Sequence, residues 1–69
     1  MSRTPRWTAR EAEAELLRNG FSLVRTRGGH RIYQKGGRRV VVPFHARLTL
    51  HPKIVKQVLN AIEDESKSR

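Results

Sequence analysis

Two glycine pairs constrain this chain more than any other feature. Gly28-Gly29 and Gly36-Gly37 bracket the short run His30-Arg-Ile-Tyr-Gln-Lys35. Glycine takes positive φ at little cost, so a glycine pair between two β-like runs reads as a tight hairpin. The run Arg38-Arg-Val-Val-Val42 follows and stops at Pro43, which has no N–H to give to a ladder. Upstream, Phe21-Ser-Leu-Val-Arg-Thr26 reads as a strand that closes at Gly28-Gly29. Three strands joined this tightly form an antiparallel meander.

Helical signals flank the meander. Thr8-Ala-Arg-Glu11 fits a capping box, with Thr8 at the N-cap and Glu11 reaching back to its amide. Glu11, Glu13 and Glu15 suit the positive end of a helix dipole, and Ala12, Leu16 and Leu17 supply an apolar stripe. Asn19-Gly20 is a C-terminal stop, so the first helix is expected over about 8–19. Trp7 is expected to staple the start of this helix. Pro52 suits a first helical turn, and Ile54, Val55, Val58, Leu59 and Ile62 recur at helical spacing, predicting a second helix over about 52–64. The tail from Glu63 is expected to be polar and frayed.

The predicted class is therefore α+β, in the order α-β-β-β-α. A three-stranded sheet in so short a chain cannot bury both faces, so both helices are expected on one face, leaving the other open. Which face Ile32 and Tyr33 take is left open, because the 40–42 run is apolar throughout and fixes no register. Tyr33 is assigned to the core in preference to base stacking.

At 69 residues the chain is read as one domain, with an ordered core over about 8–62 and polar tails at 1–6 and 65–69. Apolar residues make up 36% of it, enough for one thin core and marginal stability. With no cysteine, disulfides and thiolate metal sites are ruled out. The start Met1-Ser-Arg-Thr-Pro-Arg6 lacks the apolar run of a signal peptide or membrane span, so the expectation is a small cytoplasmic protein.

Charge points to the partner. The formal net charge is +9 with a pI near 11.6, and no acidic residue occurs between Glu15 and Glu63. Clustered positives without interleaved acids favour a polyanion, with nucleic acid ahead of a merely solvated surface. Membrane binding is disfavoured, since neither helix joins a basic face to a large exposed apolar one. Several of Arg25, Arg27, Arg31, Lys35, Arg38 and Arg39 could meet a phosphate backbone. The candidate contacts are Arg25, Arg27, Arg31, Lys35 and Arg38, each of which could instead be a solvated strand residue.

Three histidines are available, at positions 30, 45 and 51, with no metal-ligand spacing, so no metal or cofactor is expected. Imidazole titrates near neutrality and can carry a proton either way. His30, directly after Gly28-Gly29, could be approached closely by a bulky backbone. RNA brings its own nucleophile, the 2′-hydroxyl, so a proton carrier and cations are sufficient for cleavage. The plain alternative is a surface histidine on a strand. His45 is read as a loop residue in preference to a second acid–base group, and His51 as a helix-start residue.

Gly28-Gly-His-Arg-Ile-Tyr33 followed by Gly37-Arg-Arg-Val-Val-Val-Pro-Phe-His45 resembles the HicA family of bacterial toxins. The likeness extends over roughly 8–60 and includes the Asn19-Gly-Phe21 break. Around the histidine the family often has Gly-Ser-His-His, where this chain has Gly29 and Arg31. The resemblance implies a double-stranded-RNA-binding-domain-like fold, metal-independent cleavage of mRNA, a catalytic histidine at His30 and neutralisation by a HicB antitoxin. Two rivals stand beside it: a non-catalytic RNA-binding module using the same face, and a regulatory DNA-binding subunit, disfavoured by the lack of helix-turn-helix spacing.

Overall fold

A computed structural model describes residues 4–44 and 49–67 of the chain. The elements run α1 (Ala9–Arg18), β1 (Ser22–Arg27), β2 (His30–Lys35), β3 (Arg38–Pro43) and α2 (Pro52–Lys67). The strands pair antiparallel in the order β1-β2-β3. The fold is α+β, in the expected α-β-β-β-α order. His45 lies outside the described residues.

Local chemistry sets the ends of α1. The Thr8 amide donates to Glu11 Oε1 at 2.8 Å, and the Glu11 amide donates back to Thr8 Oγ1 at 3.3 Å, completing the capping box. At the other end the Gly20 amide donates to the Leu17 carbonyl and the Phe21 amide to the Leu16 carbonyl. That is a Schellman stop, with Gly20 at φ +90° and Phe21 buried beside Leu16 in the core. His51 caps α2: its Nδ1 accepts from the Lys53 amide at 3.0 Å. This helix runs on to Lys67, past the expected end near 64, so the polar stretch from Glu63 is helical and not frayed.

The pleat decides the faces. Tyr33, Val40 and Val42 point inward and are buried with Ala9, Ala12 and Leu16 of α1 and Val55, Val58 and Ala61 of α2. Tyr33 pairs with Val40 and Arg31 with Val42, so all four share the helix-facing side. Ile32 and Val41 pair across the other face. Both helices thus pack on one face, and the shortest dimension, 17 Å, is that of one sheet plus one helix layer. The helices cover β2 and β3 but leave β1 exposed at every residue. Trp7, half-buried, packs against the core, and its carbonyl accepts from the Leu50 amide at 2.7 Å.

The two glycines of the β2–β3 hairpin are not equivalent. Gly36 has φ +57°, whereas Gly37 is not at positive φ, the pattern of a type II′ turn. A Cβ at Gly36 would also sit 2.9 Å from Glu65 Oε1, the movable end of a flexible side chain, while a Cβ at Gly37 would meet nothing within 4 Å. Gly36→Ala is therefore expected to destabilise by about 1–2 kcal/mol, mostly through φ. Gly37→Ala should be neutral or slightly stabilising. Paired thermal melts check this, and equal effects at the two positions would contradict the turn geometry.

Candidate nucleic-acid interface

On the open face the residues form three cross-strand rows. The first is Arg27–His30–Pro43, the second Arg25–Ile32–Val41 and the third Ser22–Gln34–Arg39. A bulge at Val24, between Leu23 and Arg25, shifts the register of β1. Were Val24 paired in regular alternation instead of bulged, Arg25 and Arg27 would turn to the helix side, since a one-residue shift swaps faces. The bulge therefore puts both arginines on the face of His30, Arg27 in its row and Arg25 in the next. Arg25, Arg27, His30 and Arg39 are all exposed. This face bears no carboxylate.

His30 opens β2 directly after the Gly28-Gly29 turn, and its surroundings are held rigidly. The Phe44 amide donates to the Gly29 carbonyl at 2.6 Å, tying the end of β3 to the turn. Arg31, the next residue, lies with its guanidinium carbon 4.0 Å from the centre of the Phe44 ring. Its Nη1 also donates to Glu13 Oε2 at 2.9 Å, and Tyr33 Oη donates to the same oxygen at 2.6 Å. Backbone on both sides of His30 is thus anchored to α1 or β3. Among the described residues, chain neighbours aside, nothing lies within 4 Å of where a Cβ on Gly28 or Gly29 would sit.

The five cations nominated from the sequence separate into two groups. Arg25 and Arg27 share the open face with His30. Arg31, Lys35 and Arg38 occupy the helix side and have partners within the chain. Arg31 holds Glu13; Lys35 Nζ donates to the Asn19 carbonyl at 2.9 Å; Arg38 Nη1 donates to Asp64 Oδ2 at 2.7 Å. Lys35 thereby caps the negative end of α1. Arg39, one of the wider set of basic residues, is put on the open face by the pleat.

Glu13 is the supporting residue that the sequence reading missed. It was read as a dipole charge, yet Ala9, Ala12, Glu13 and Leu16 follow i, i+3, i+4, i+7, which puts a carboxylate on the buried stripe. A charge there needs partners, and Tyr33 and Arg31 supply them. Burial would raise its pKa, but the hydrogen bonds from Tyr33 and Arg31 and the charges of Arg31 and Arg10 outweigh it, leaving Glu13 below its ordinary 4.5. Burial, reinforced by the bond to Glu13, pushes the Tyr33 phenol well above its ordinary range. Among the described residues no three His, Asp or Glu side chains come together as a metal-ligand group.

A family model described as the HicA toxin of bacterial toxin–antitoxin systems matches residues 9–63. The chain belongs to the HicA toxin family. The HicA match takes in α1, all three strands and most of α2, so it covers the candidate face and its support together. A HicA toxin is one component of a toxin–antitoxin system, and a cognate antitoxin is implied. No curated protein and no solved structure matches this HicA chain significantly.

Because Glu13 has a lowered pKa in the fold, its ionisation stabilises the native state above about pH 4.5. That contribution should be lost as the pH falls below this value, through the folded pKa. Glu13→Ala should cost about 1–3 kcal/mol at neutral pH by stranding the Tyr33 hydroxyl. It should also flatten the acid limb of a stability-versus-pH curve. Denaturant titrations of both proteins across that range check it, and an unchanged acid limb would contradict the assignment.

Proposed function

We propose that this HicA-family toxin is an endoribonuclease that cleaves mRNA through His30. The observation that carries this reading is the row Arg27–His30, flanked by Arg25, on a face without carboxylates. A 2′-hydroxyl attacks the adjacent phosphorus, so the 2′-O–P bond forms and the P–O5′ bond breaks. The products are a 2′,3′-cyclic phosphate and a 5′-hydroxyl. His30 takes the proton of the attacking hydroxyl or gives one to the leaving oxygen. Arg25 and Arg27 meet the charge that builds on the phosphoryl oxygens. Arg31 supports the strand through Glu13 and Phe44, and Lys35 and Arg38 are occupied with Asn19 and Asp64.

The reading requires no metal, because the nucleophile comes with the substrate and guanidinium groups answer the charge. A HicB-like antitoxin would silence the toxin by laying acidic residues over Arg25, Arg27 and His30. The alternative, a non-catalytic RNA-binding module, uses the same face but has no cleavage to lose.

His30→Ala should lower RNA cleavage by about 10²–10⁴-fold while leaving circular dichroism and RNA binding in place, since His30 is exposed. Chelators should have no effect. If His30→Ala cuts at the wild-type rate, the mechanism fails. If the wild type binds RNA but never cuts it, the binding-module reading stands instead.

A further inference from the structure

We propose that the open sheet face is a track for an unpaired RNA strand, running from Arg39 across Ile32 and Val41 to Arg25, Arg27 and His30. This rests on the ribonuclease reading and adds where the substrate lies and which strandedness it must have.

Charge distribution comes first. All six carboxylates of the chain, Glu11, Glu13, Glu15, Glu63, Asp64 and Glu65, sit on the helices. The layer behind the sheet is therefore mixed in sign, and α1, with three acids against Arg10 and Arg18, offers phosphate little. The open face has Arg25, Arg27 and Arg39 and no acid. A polyanion is drawn to that face and not to α1.

Spacing comes second. Residues two apart on a strand are separated by about 6.6 Å, so the Arg39 row lies about 13 Å from the His30 row. A ligand that meets both must extend across the middle row. That row holds half-buried Ile32 and Val41, which is 41% exposed, giving an aliphatic strip between two cationic rows. Arg39 and Val41 also line an open groove with Arg38, Val40 and Gln57 along the β3 edge, where a strand could leave the face.

The aliphatic strip decides strandedness. An unpaired strand can splay its bases, whose flat apolar faces then cover Ile32 and Val41 while its phosphates meet the guanidinium groups. A duplex keeps its bases stacked inside and presents backbone, with nothing to cover that strip. Lacking aromatic side chains, the strip stacks bases weakly, so affinity depends mostly on the arginines and falls with salt.

The test uses the full wild-type chain and a short 2′-O-methyl RNA, which cannot be cut, either unpaired or annealed to its complement. Fluorescence anisotropy should show the unpaired strand bound at least about tenfold more tightly. Val41→Glu should weaken it by about tenfold or more, by setting a carboxylate among the phosphates. Arg39→Ala should reduce the log–log salt slope by about 0.7, the loss of one phosphate contact. Lys53→Ala and Lys56→Ala, on the exposed side of α2, should change nothing. Should Val41→Glu fail to fold, Val41→Ser reads the same contact. Equal affinity for the duplex, or unchanged binding by the Val41 and Arg39 variants, overturns the track while leaving His30 chemistry standing. No RNA binding by the wild type at all overturns both.

Discussion

One carboxylate oxygen holds the working arrangement together. Glu13 Oε2 accepts from Tyr33 Oη and from Arg31 Nη1, joining α1 to the middle strand at two neighbouring inward positions. Tyr33 is the largest fully buried side chain of the core, so its hydroxyl needs a partner where water cannot reach. Arg31 places a guanidinium against the same side of the sheet and, through Phe44, reaches the end of β3. A surface ion pair would contribute little. This one differs because it shares its acceptor with a buried phenol and stacks on an aromatic ring. Removing Glu13 would leave both donors to find other partners and would free β2 where His30 begins.

That joint also explains how a thin protein tolerates a high positive charge. The carboxylates lie on the helices, where Glu13, Glu15, Glu63 and Asp64 pair with Arg31, Arg18, Lys67 and Arg38. Two of these pairs, Glu13–Arg31 and Asp64–Arg38, reach from helix to strand and neutralise strand cations on the covered side. Arg25, Arg27 and Arg39 are left on the open side with no acid among them. Among the described residues the sheet thus has one face that is packed and charge-balanced and another that is cationic and uncovered by either helix. Alternation along each strand produces this, because neighbouring residues take opposite faces.

How much of this was legible in the sequence follows from which signals are local. The capping box, the Asn19-Gly20 stop and the glycine hairpins depend on residues within a few positions of one another, and each could be read directly. Face assignment could not be, because Val40-Val41-Val42 is apolar on both phases of the pleat. Tyr33 settles it through Glu13, a contact twenty residues away in sequence. The bulge at Val24 was likewise invisible, since nothing at Leu23-Val24-Arg25 marks an extra residue. The nomination of Arg31, Lys35 and Arg38 beside Arg25 and Arg27 came from charge alone, and charge carries no information about the pleat. Glu13 was within reach: a carboxylate at an apolar-stripe position signals a partner elsewhere. The extension of α2 to Lys67 was hidden by composition, because a polar stretch gives no periodicity even when it is helical.

The bare face carries a thermodynamic consequence. Arg25 and Arg27, two apart on one face of β1, raise each other's electrostatic energy in the free protein, and a core this small suits a narrow stability margin. Any anionic partner that binds the folded chain alone stabilises it by about 2.7 kcal/mol at a hundred times its dissociation constant. For a domain of this size that is a large fraction of the total. RNA and an acidic protein partner would relieve the same repulsion, so the two should exclude each other wherever they compete for these guanidinium groups. A stronger core would not alter that competition, which would be set by the arginines and the absence of any acid among them. The charge that would draw phosphate to this face is thus the same charge that would draw an acidic partner over it.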